Sequence, residues 1–380
     1  MTDKQSKENR QEKSRVYFVD FKTGSRDNNI PNKIRKLYEK TGIDEILVKN
    51  ELTAVKTHFG ERGMNTYIHP VFVRQVVDKI KEGGGNPFLT DTNTLYTGGR
   101  TNSVDHLQTA IENGFAYPVV NCPIIIADGI FSKNSVEVPI NKKHFDTVRI
   151  AGDIYNTNSM VVLSHVKGHS LSGYGGSLKN LAMGCATASG KQQQHSDSKP
   201  EVDPEKCVGC RICIGNCPVE AIAMVDKKAV IDQEVCIGCG ECITVCPHRA
   251  IKVQWETNAD VFVEKMAEYA YGSVKDKAGK VAYINFVMNV TPLCDCVPWS
   301  DQPIVNDVGI LASFDPIAID QASLDLIDQE QGRQDSNLTC NHQPGADKFG
   351  GLHQDVNGRR ILEYGEELGM GSREYELIML

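Results

Sequence analysis

No apolar run in this 380-residue chain is long enough to span a bilayer, so no membrane partner is expected. The first fifteen residues, MTDKQSKENRQEKSR, lack the apolar stretch of a secretion signal and read as a disordered tail, 1–15. A Walker loop and the G-x-G-x-x-G fingerprint are both absent, so neither a nucleotide nor a dinucleotide follows from the sequence. A basic surplus is missing too. The net charge is −8, and from Cys294 to Leu380 five Lys and Arg stand against sixteen Asp and Glu. This argues against nucleic acid, whose phosphate backbone calls for a basic face. The acidic third reads either as solvated helix faces or as a surface that steers a redox partner.

What the chain has is cysteine. Eight of its thirteen cysteines fall into two copies of one spacing. Cys207, Cys210, Cys213 and Cys217 are followed by Pro218; 29 residues later Cys236, Cys239, Cys242 and Cys246 repeat the pattern and are followed by Pro247. Two-residue gaps let three thiolates of one tight loop reach three corners of an iron-sulfur cube, and the fourth must come from elsewhere. Zinc sites usually need only two pairs of ligands with a longer spacer, so two complete sets of four point away from zinc knuckles.

The pattern resembles the bacterial two-cluster ferredoxin signature, in which the last cysteine of each run ligates the other run's cluster. The resemblance implies two 4Fe-4S clusters: Cys207, Cys210, Cys213 and Cys246 around one, Cys236, Cys239, Cys242 and Cys217 around the other. Val208, Ile212, Ile214, Ile237, Ile243 and Val245 would sheathe them, and amides at Gly209, Gly215, Gly238 and Gly240 would donate to sulfur. Oxygen-sensitive clusters and numerous thiols suit a reducing compartment, hence a cytoplasmic placement.

The rest of the chain reads as an α/β host domain with an inserted α+β two-cluster ferredoxin-like module. Strands are expected at VYFVD, Ala54–Lys56, PFLTD, PVVNCPIIIAD, Val148–Gly152, MVVLSHV and VAYINFVM. Helices are expected over Asn32–Thr41, from Pro70 to the triple glycine, along Val104, Leu107 and Ile111, from Asn258 to Tyr271 and over Ile319–Ile327. Alternation of this kind gives a sheet covered on both faces. The module, 203–255, follows a polar linker, 189–202, and divides the host into 16–188 and 256–380.

Three polar segments of the host follow strands, where open α/β sheets gather ligands. KTHFGERG carries Lys56, His58, Glu61 and Arg62. DTNTLYTGGRTN carries Asp91, Asn93, Tyr96, Arg100 and Asn102. SHVKGHSLSGYGGSLKNLAMGC carries His165, Lys167, His169 and Lys179, with a glycine-rich stretch that would cradle an anion at a helix start near Leu178. The bland alternatives are turn chemistry and structural hydrogen bonding. His58, His169 and Lys179 are the candidate catalytic residues. Cys122 reads as packing; Cys294 and Cys296 read as reduced thiols in a loop, or with Cys185 as a third metal site.

The combination of KTHFGERG, DTNTLYTGGRTN, SHVKGH with GGSLKNLAMGC, and MNVTPLCDC with DVGILASFDPIAIDQASLD resembles an uncharacterised iron-sulfur-centre protein family, a domain of unknown function. His169, Gly175, Gly176 and Lys179 also look like the histidine, glycine-rich loop and lysine of nickel-pincer lactate racemase, though that family's aspartate-rich segment is not evident. The expectation is an electron-transfer protein relaying single electrons through two clusters to a redox partner protein or to a small-molecule ligand of the host domain. The alternative is a small-molecule enzyme, a ferredoxin-linked oxidoreductase if redox-active, using the His and Lys residues.

Overall fold

The computed structural model describes residues 13–96, 98–195, 199–236, 238–252 and 258–380. Eight strands form one sheet in the order Tyr375–Met379, Ser14–Asp20, Gly309–Ser313, Val281–Val287, Ser159–His165, Leu52–Lys56, Asn86–Asp91, Ile124–Ile126. Gly309–Ser313 pairs antiparallel with both neighbours and every other pairing is parallel, so seven strands share one direction. The mixed α/β architecture expected of the host is therefore present.

Successive side chains of a strand face opposite ways, and a mostly parallel sheet must bury both faces. All seven residues of Ser159–His165 and of Val281–Val287 are buried. Met160 and Val162 join Tyr283 and Leu311 in a core under the helices Ser177–Gly184, Ala259–Val274 and Pro316–Gln329. Val161 and Leu163 join Ile284 and Ile310 in the opposite core, under Ile30–Thr41 and Pro70–Glu82. The caps follow the side-chain chemistry: Asn29, Asn102, Asn258 and Asp315 each accept backbone N–H groups at a helix start.

Several expectations are corrected. Ser14 and Arg15 belong to the first strand rather than a tail, and residues 1–12 lie outside those described. In PVVNCPIIIAD, Tyr117–Val120 is a short helix started by a proline, and only Ile124–Ile126 is strand. Thr147–Ala151 pairs with Ser135–Pro139 in a separate hairpin. The apolar stripe of Ser103–Glu112 faces solvent, with Val104 67% exposed, while His106, Thr109 and Ala110 face in. Residues 189–194, assigned to the linker, belong to the largely buried helix Ala188–Gln194. Several carboxylates of the acidic third are engaged by the fold: Asp328 with Arg359 and the Lys348 N–H, Glu366 with Arg373, and Asp320 with a helix start.

Between the host segments lie two small antiparallel sheets: Glu201–Val202 pairs with the distant Ile251–Lys252, and Ile222–Val225 forms a hairpin with Lys228–Ile231. The sequence repeat reappears in the hydrogen bonds. Ala221 donates to Cys217 Sγ at 3.2 Å, and Ala250, 29 residues on, to Cys246 Sγ at 3.3 Å. The two halves are also cross-tied. Asp203 N–H donates to the Ala250 carbonyl, and Asp232 N–H to the Ala221 carbonyl. Each half thus opens on a bond to the alanine whose own N–H donates to the other half's fourth cysteine.

Truncating Ile284 at the sheet centre to Ala should lower unfolding free energy by about 2–5 kcal/mol in a denaturant titration. Val104→Ala, on the exposed stripe, should stay within about 0.5 kcal/mol.

Candidate functional site

Four parallel strands end at one edge of the sheet, and the segments leaving them enclose a cavity of about 530 Å³. Leu52–Lys56 delivers Lys56 and His58, Asn86–Asp91 delivers Asp91, Tyr96 and Arg100, and Ser159–His165 delivers His165, Lys167 and His169. Val281–Val287 leads to Cys296, Val297 and Pro298. Lys179 enters from the helix Ser177–Gly184, and Lys191 and His195 from Ala188–Gln194 and its end. Chain order explains the opening: from Leu52–Lys56 the sheet grows one way to Asn86–Asp91 and Ile124–Ile126, then resumes on its other side at Ser159–His165. Neighbouring loops part at such a switch point.

Buried carboxylates hold the cations. Lys56 Nζ lies 3.0 Å from Asp91 and donates to Asn180 Oδ1 at 2.6 Å. A Cβ at Gly184 would collide with that ammonium, so the close approach requires glycine. Arg100 reaches Glu61 at 3.2 Å and Asp91 at 3.7 Å, and donates to the Tyr96 hydroxyl. Asp295 takes His165 Nδ1 at 2.8 Å and Lys167 Nζ at 3.3 Å. Burial alone would raise the carboxyls of Asp91 and Asp295, but the cations around each outweigh it and hold both well below the usual range.

Four histidines are held neutral by burial and neighbouring cations: His58 and His169 well below their ordinary value, His195 and His106 at about 3. Both ring nitrogens of His58 face N–H donors, Gly60 N and Arg100 Nη1, each at 2.9 Å, an arrangement a doubly protonated ring would not tolerate. His169 Nδ1 accepts from Ser172 N at 3.1 Å, near the turn between two short strands.

Lys179 stands apart. It makes no hydrogen bond or ion pair among the described residues, and burial followed by repulsion from Lys167 brings its ammonium down to about 7. The cavity therefore holds fixed cations, the neutral imidazoles of His58, His169 and His195, and two lysines with lowered ammoniums, Lys179 at about 7 and Lys191 at about 8, of which, among the described residues, only Lys191 is hydrogen-bonded. That combination can bind an anion and move a proton.

One expectation fails in an instructive way. The helix at Ser177 does start from the glycine-rich segment, but its first N–H groups are taken by the chain itself: Ser177 N and Leu178 N donate to the Asp320 carboxylate at 2.7 and 3.0 Å. Of the other predicted residues, Asn93 is bonded to Asp128, Asn102 caps a helix, and Arg62 pairs with Glu112 on the surface. Cys122 is buried in the core as expected. Cys294 and Cys296 form a disulfide rather than free thiols, while Cys185 is a buried free cysteine. Among the described residues no three or more His, Cys, Asp or Glu side chains are arranged to hold a single metal ion. Sequence reasoning missed Lys191, His195, His106 and Asp295. Lys191 donates to Thr92 Oγ1 at 2.6 Å and to two carbonyls, and His106 Nε2 lies 3.9 Å from Asp91.

The repeat cysteines line two small cavities of their own. Cys207, Cys210, Cys213 and Cys246 line one, and Cys217, Cys236, Cys239 and Cys242 line the other. The apolar sheath is partial: Val208 and Ile212 are exposed, Ile214 and Ile243 are packed against the cysteines, and Ile237 lies outside the described residues. Gly238 N–H donates to Cys236 Sγ at 3.4 Å.

Fold and site define an open α/β domain with a cationic cavity at its strand ends and a cysteine-rich insert. The chain belongs to the family described as Domain of unknown function (DUF362), whose model matches residues 53–325 and so spans cavity and cysteine repeat together. No curated protein matches it. Among solved structures it is similar to the lactate racemase apoprotein from Thermoanaerobacterium thermosaccharolyticum, at 12% identity over 72% of this chain and 51% of that one, with a TM-score of 0.38. It is also similar to a structural-genomics protein from Thermotoga maritima, at 11% identity over 74% and 55%, with a TM-score of 0.37. The chain spans about half the length of these two proteins, and overlaps this loose carry nothing about the site.

If Lys179 supplies the titrating charge, malonate affinity measured by calorimetry should be full below pH 7 and fall about tenfold as the pH rises to 9, when the ammonium is lost. Lys179→Gln should bind at the weaker level throughout and flatten the profile.

Proposed function

We propose that this chain is an iron-sulfur electron-transfer protein whose two 4Fe-4S clusters relay single electrons to a small organic anion in the host cavity, with a redox partner protein as donor. The observation that carries this reading is the division of the eight repeat cysteines between two cavities, four to each. The division follows the exchange of fourth cysteines: Cys246 lies with Cys207, Cys210 and Cys213, and Cys217 with Cys236, Cys239 and Cys242. When bound, such clusters supply one-electron chemistry at potentials set by hydrogen bonding and burial.

The chain's own residues suggest which set faces the host. Glu241, between Cys239 and Cys242, pairs with Lys133 at 2.6 Å and Arg149 at 2.5 Å. Gly240, in left-handed backbone at φ 73°, lies so close to Gln192 that an added Cβ would stand 2.5 Å from the Gln192 side chain. Gln192 belongs to the helix Ala188–Gln194, whose Lys191 lines the cavity, as does His195 just beyond it. Cys210, in contrast, is exposed. The set with Cys239 therefore serves the cavity and the set with Cys210 receives from outside.

The near-neutral, unpaired Lys179 favours a second reading in which the cavity is catalytic and His58, His169 and Lys179 do acid-base work, with the clusters auxiliary. The two readings share one cavity and differ in whether Lys179→Ala abolishes turnover or only weakens binding.

Anaerobic reconstitution should give about eight irons and eight sulfides per chain with a reducible EPR signal. Cys217→Ser should perturb the centre formed by the second run and spare the first, and Cys246→Ser the reverse. Stoichiometric zinc in place of iron would remove the reading.

A further inference from the structure

Cys294 and Cys296 are the one disulfide-bonded pair among thirteen cysteines, and the other eleven are free. Its position argues against a staple. Only Asp295 separates the two, and a cross-link closing so short a loop removes little freedom from the unfolded chain. The turn is held without it as well. The Asp295 carboxylate is bound by His165 and Lys167, its carbonyl accepts from Glu61 N at 3.0 Å, and Val297 N donates to the Cys294 carbonyl at 3.2 Å. The two sulfurs also differ in access. Cys294 is 4% exposed, whereas Cys296 is half-buried and lines the cavity. In an exchanging pair, an accessible sulfur meets the incoming thiolate and a hidden one resolves the product.

We infer that Cys294–Cys296 is a redox-active couple that exchanges with a small acidic thiol, and with the corresponding disulfide, inside the host cavity. This goes beyond the electron-relay reading and does not depend on it. A thiolate RS⁻ attacks Cys296 Sγ, the bond to Cys294 Sγ breaks, and Cys294 leaves as a thiolate that takes up a proton. The product is the mixed disulfide R–S–S–Cys296. A second RS⁻ attacks the sulfur of R, releasing R–S–S–R and the Cys296 thiolate, which is protonated in turn. Two thiols are oxidised and one protein disulfide is reduced, two electrons in all; the reverse sequence reduces R–S–S–R.

The cavity selects an acidic partner. Lys167, Lys179 and Arg100 line it near neutral histidines, and Asp91, itself matched by Lys56, is the lining carboxylate. These cations attract the carboxylate of the ligand and stabilise each thiolate as it leaves. Mixed-disulfide formation falls on Cys296 alone, because the buried Cys294 is out of reach until the bond opens.

The test uses the full chain, purified anaerobically with its native cofactor content. It is treated with 3-mercaptopropionate or with cysteamine, alkylated, digested and read by mass spectrometry at the peptide carrying residues 294–296. The acidic thiol should open the disulfide about tenfold faster than the basic one at equal thiolate concentration, and Lys179→Gln should shrink that difference. Treated with 3,3′-dithiodipropionate, Cys294→Ser should trap a stable adduct at Cys296, and Cys296→Ser should stay largely unmodified at Cys294. The inference is overturned if the pair stays bonded in millimolar thiol, if both thiols react at one rate, or if the two variants trap equally. Iron content, measured on the same samples, reports separately on the electron-relay reading.

Discussion

Lys56, Arg100 and Lys167 meet beneath one cavity, and two buried carboxylates let them stay there. Asp91 and Asp295 are each almost wholly enclosed, each lies close to cations, and each comes from the end of a different parallel strand or the segment beyond it. Removing Asp91 would leave Lys56 without a carboxylate and Arg100 with Glu61 alone, and removing Asp295 would leave Lys167 without one, a cost on the order of 3–5 kcal/mol for a broken buried pair. The sheet supplies the geometry: parallel strands present their C-terminal loops on one edge, so groups far apart in sequence share one floor. With those cations matched, Lys179 is left without a carboxylate and holds its proton less firmly than Lys191, the other lowered lysine of the cavity.

Among the described residues, one short helix touches both the cysteine insert and this floor. Ala188–Gln194 is polar in composition, yet most of it is buried, because Lys191 reaches Thr92 and the Asn93 and Ala186 carbonyls on one side while Gln192 meets Gly240 on the other. Salt bridges from Lys133 and Arg149 to Glu241 fasten the same loop. Within the insert the two halves are tied reciprocally, so neither is complete alone.

Much of the architecture was legible in the sequence. The long periodic stretches carry start signals and apolar spacing that name them, Pro70 for Pro70–Glu82 and Asn258 for Ala259–Val274, and the buried strands at Ser159–His165 and Val281–Val287 read as largely apolar runs. What failed did so for physical reasons. The stripe Val104, Leu107 and Ile111 has helical spacing but faces solvent, since the face turned inward carries His106 beside Asp91; periodicity finds a helix without telling which side is buried. Ser, Gly and Gln around Lys191 look solvated because composition cannot reveal that the loop at Gly240 and a cavity wall cover them. The glycine-rich segment did start a helix, and only tertiary structure could bring Asp320, more than a hundred residues away, to its first amides. The gathering of His58, Arg100, His169 and Lys179 was readable from strand ends alone, whereas Asp295 was masked by its two cysteines.

The helix Ala188–Gln194 has one more consequence. A ligand that shifts Lys191 or His195 must also press on the contact between Gln192 and Gly240, and any rearrangement of that cysteine loop must reach back to the ligand. Linkage makes such communication symmetrical: whatever factor occupancy imposes on the equilibrium of the loop, the loop imposes on occupancy. A wall seven residues long thus makes host and insert two ends of one thermodynamic cycle rather than neighbours on a string.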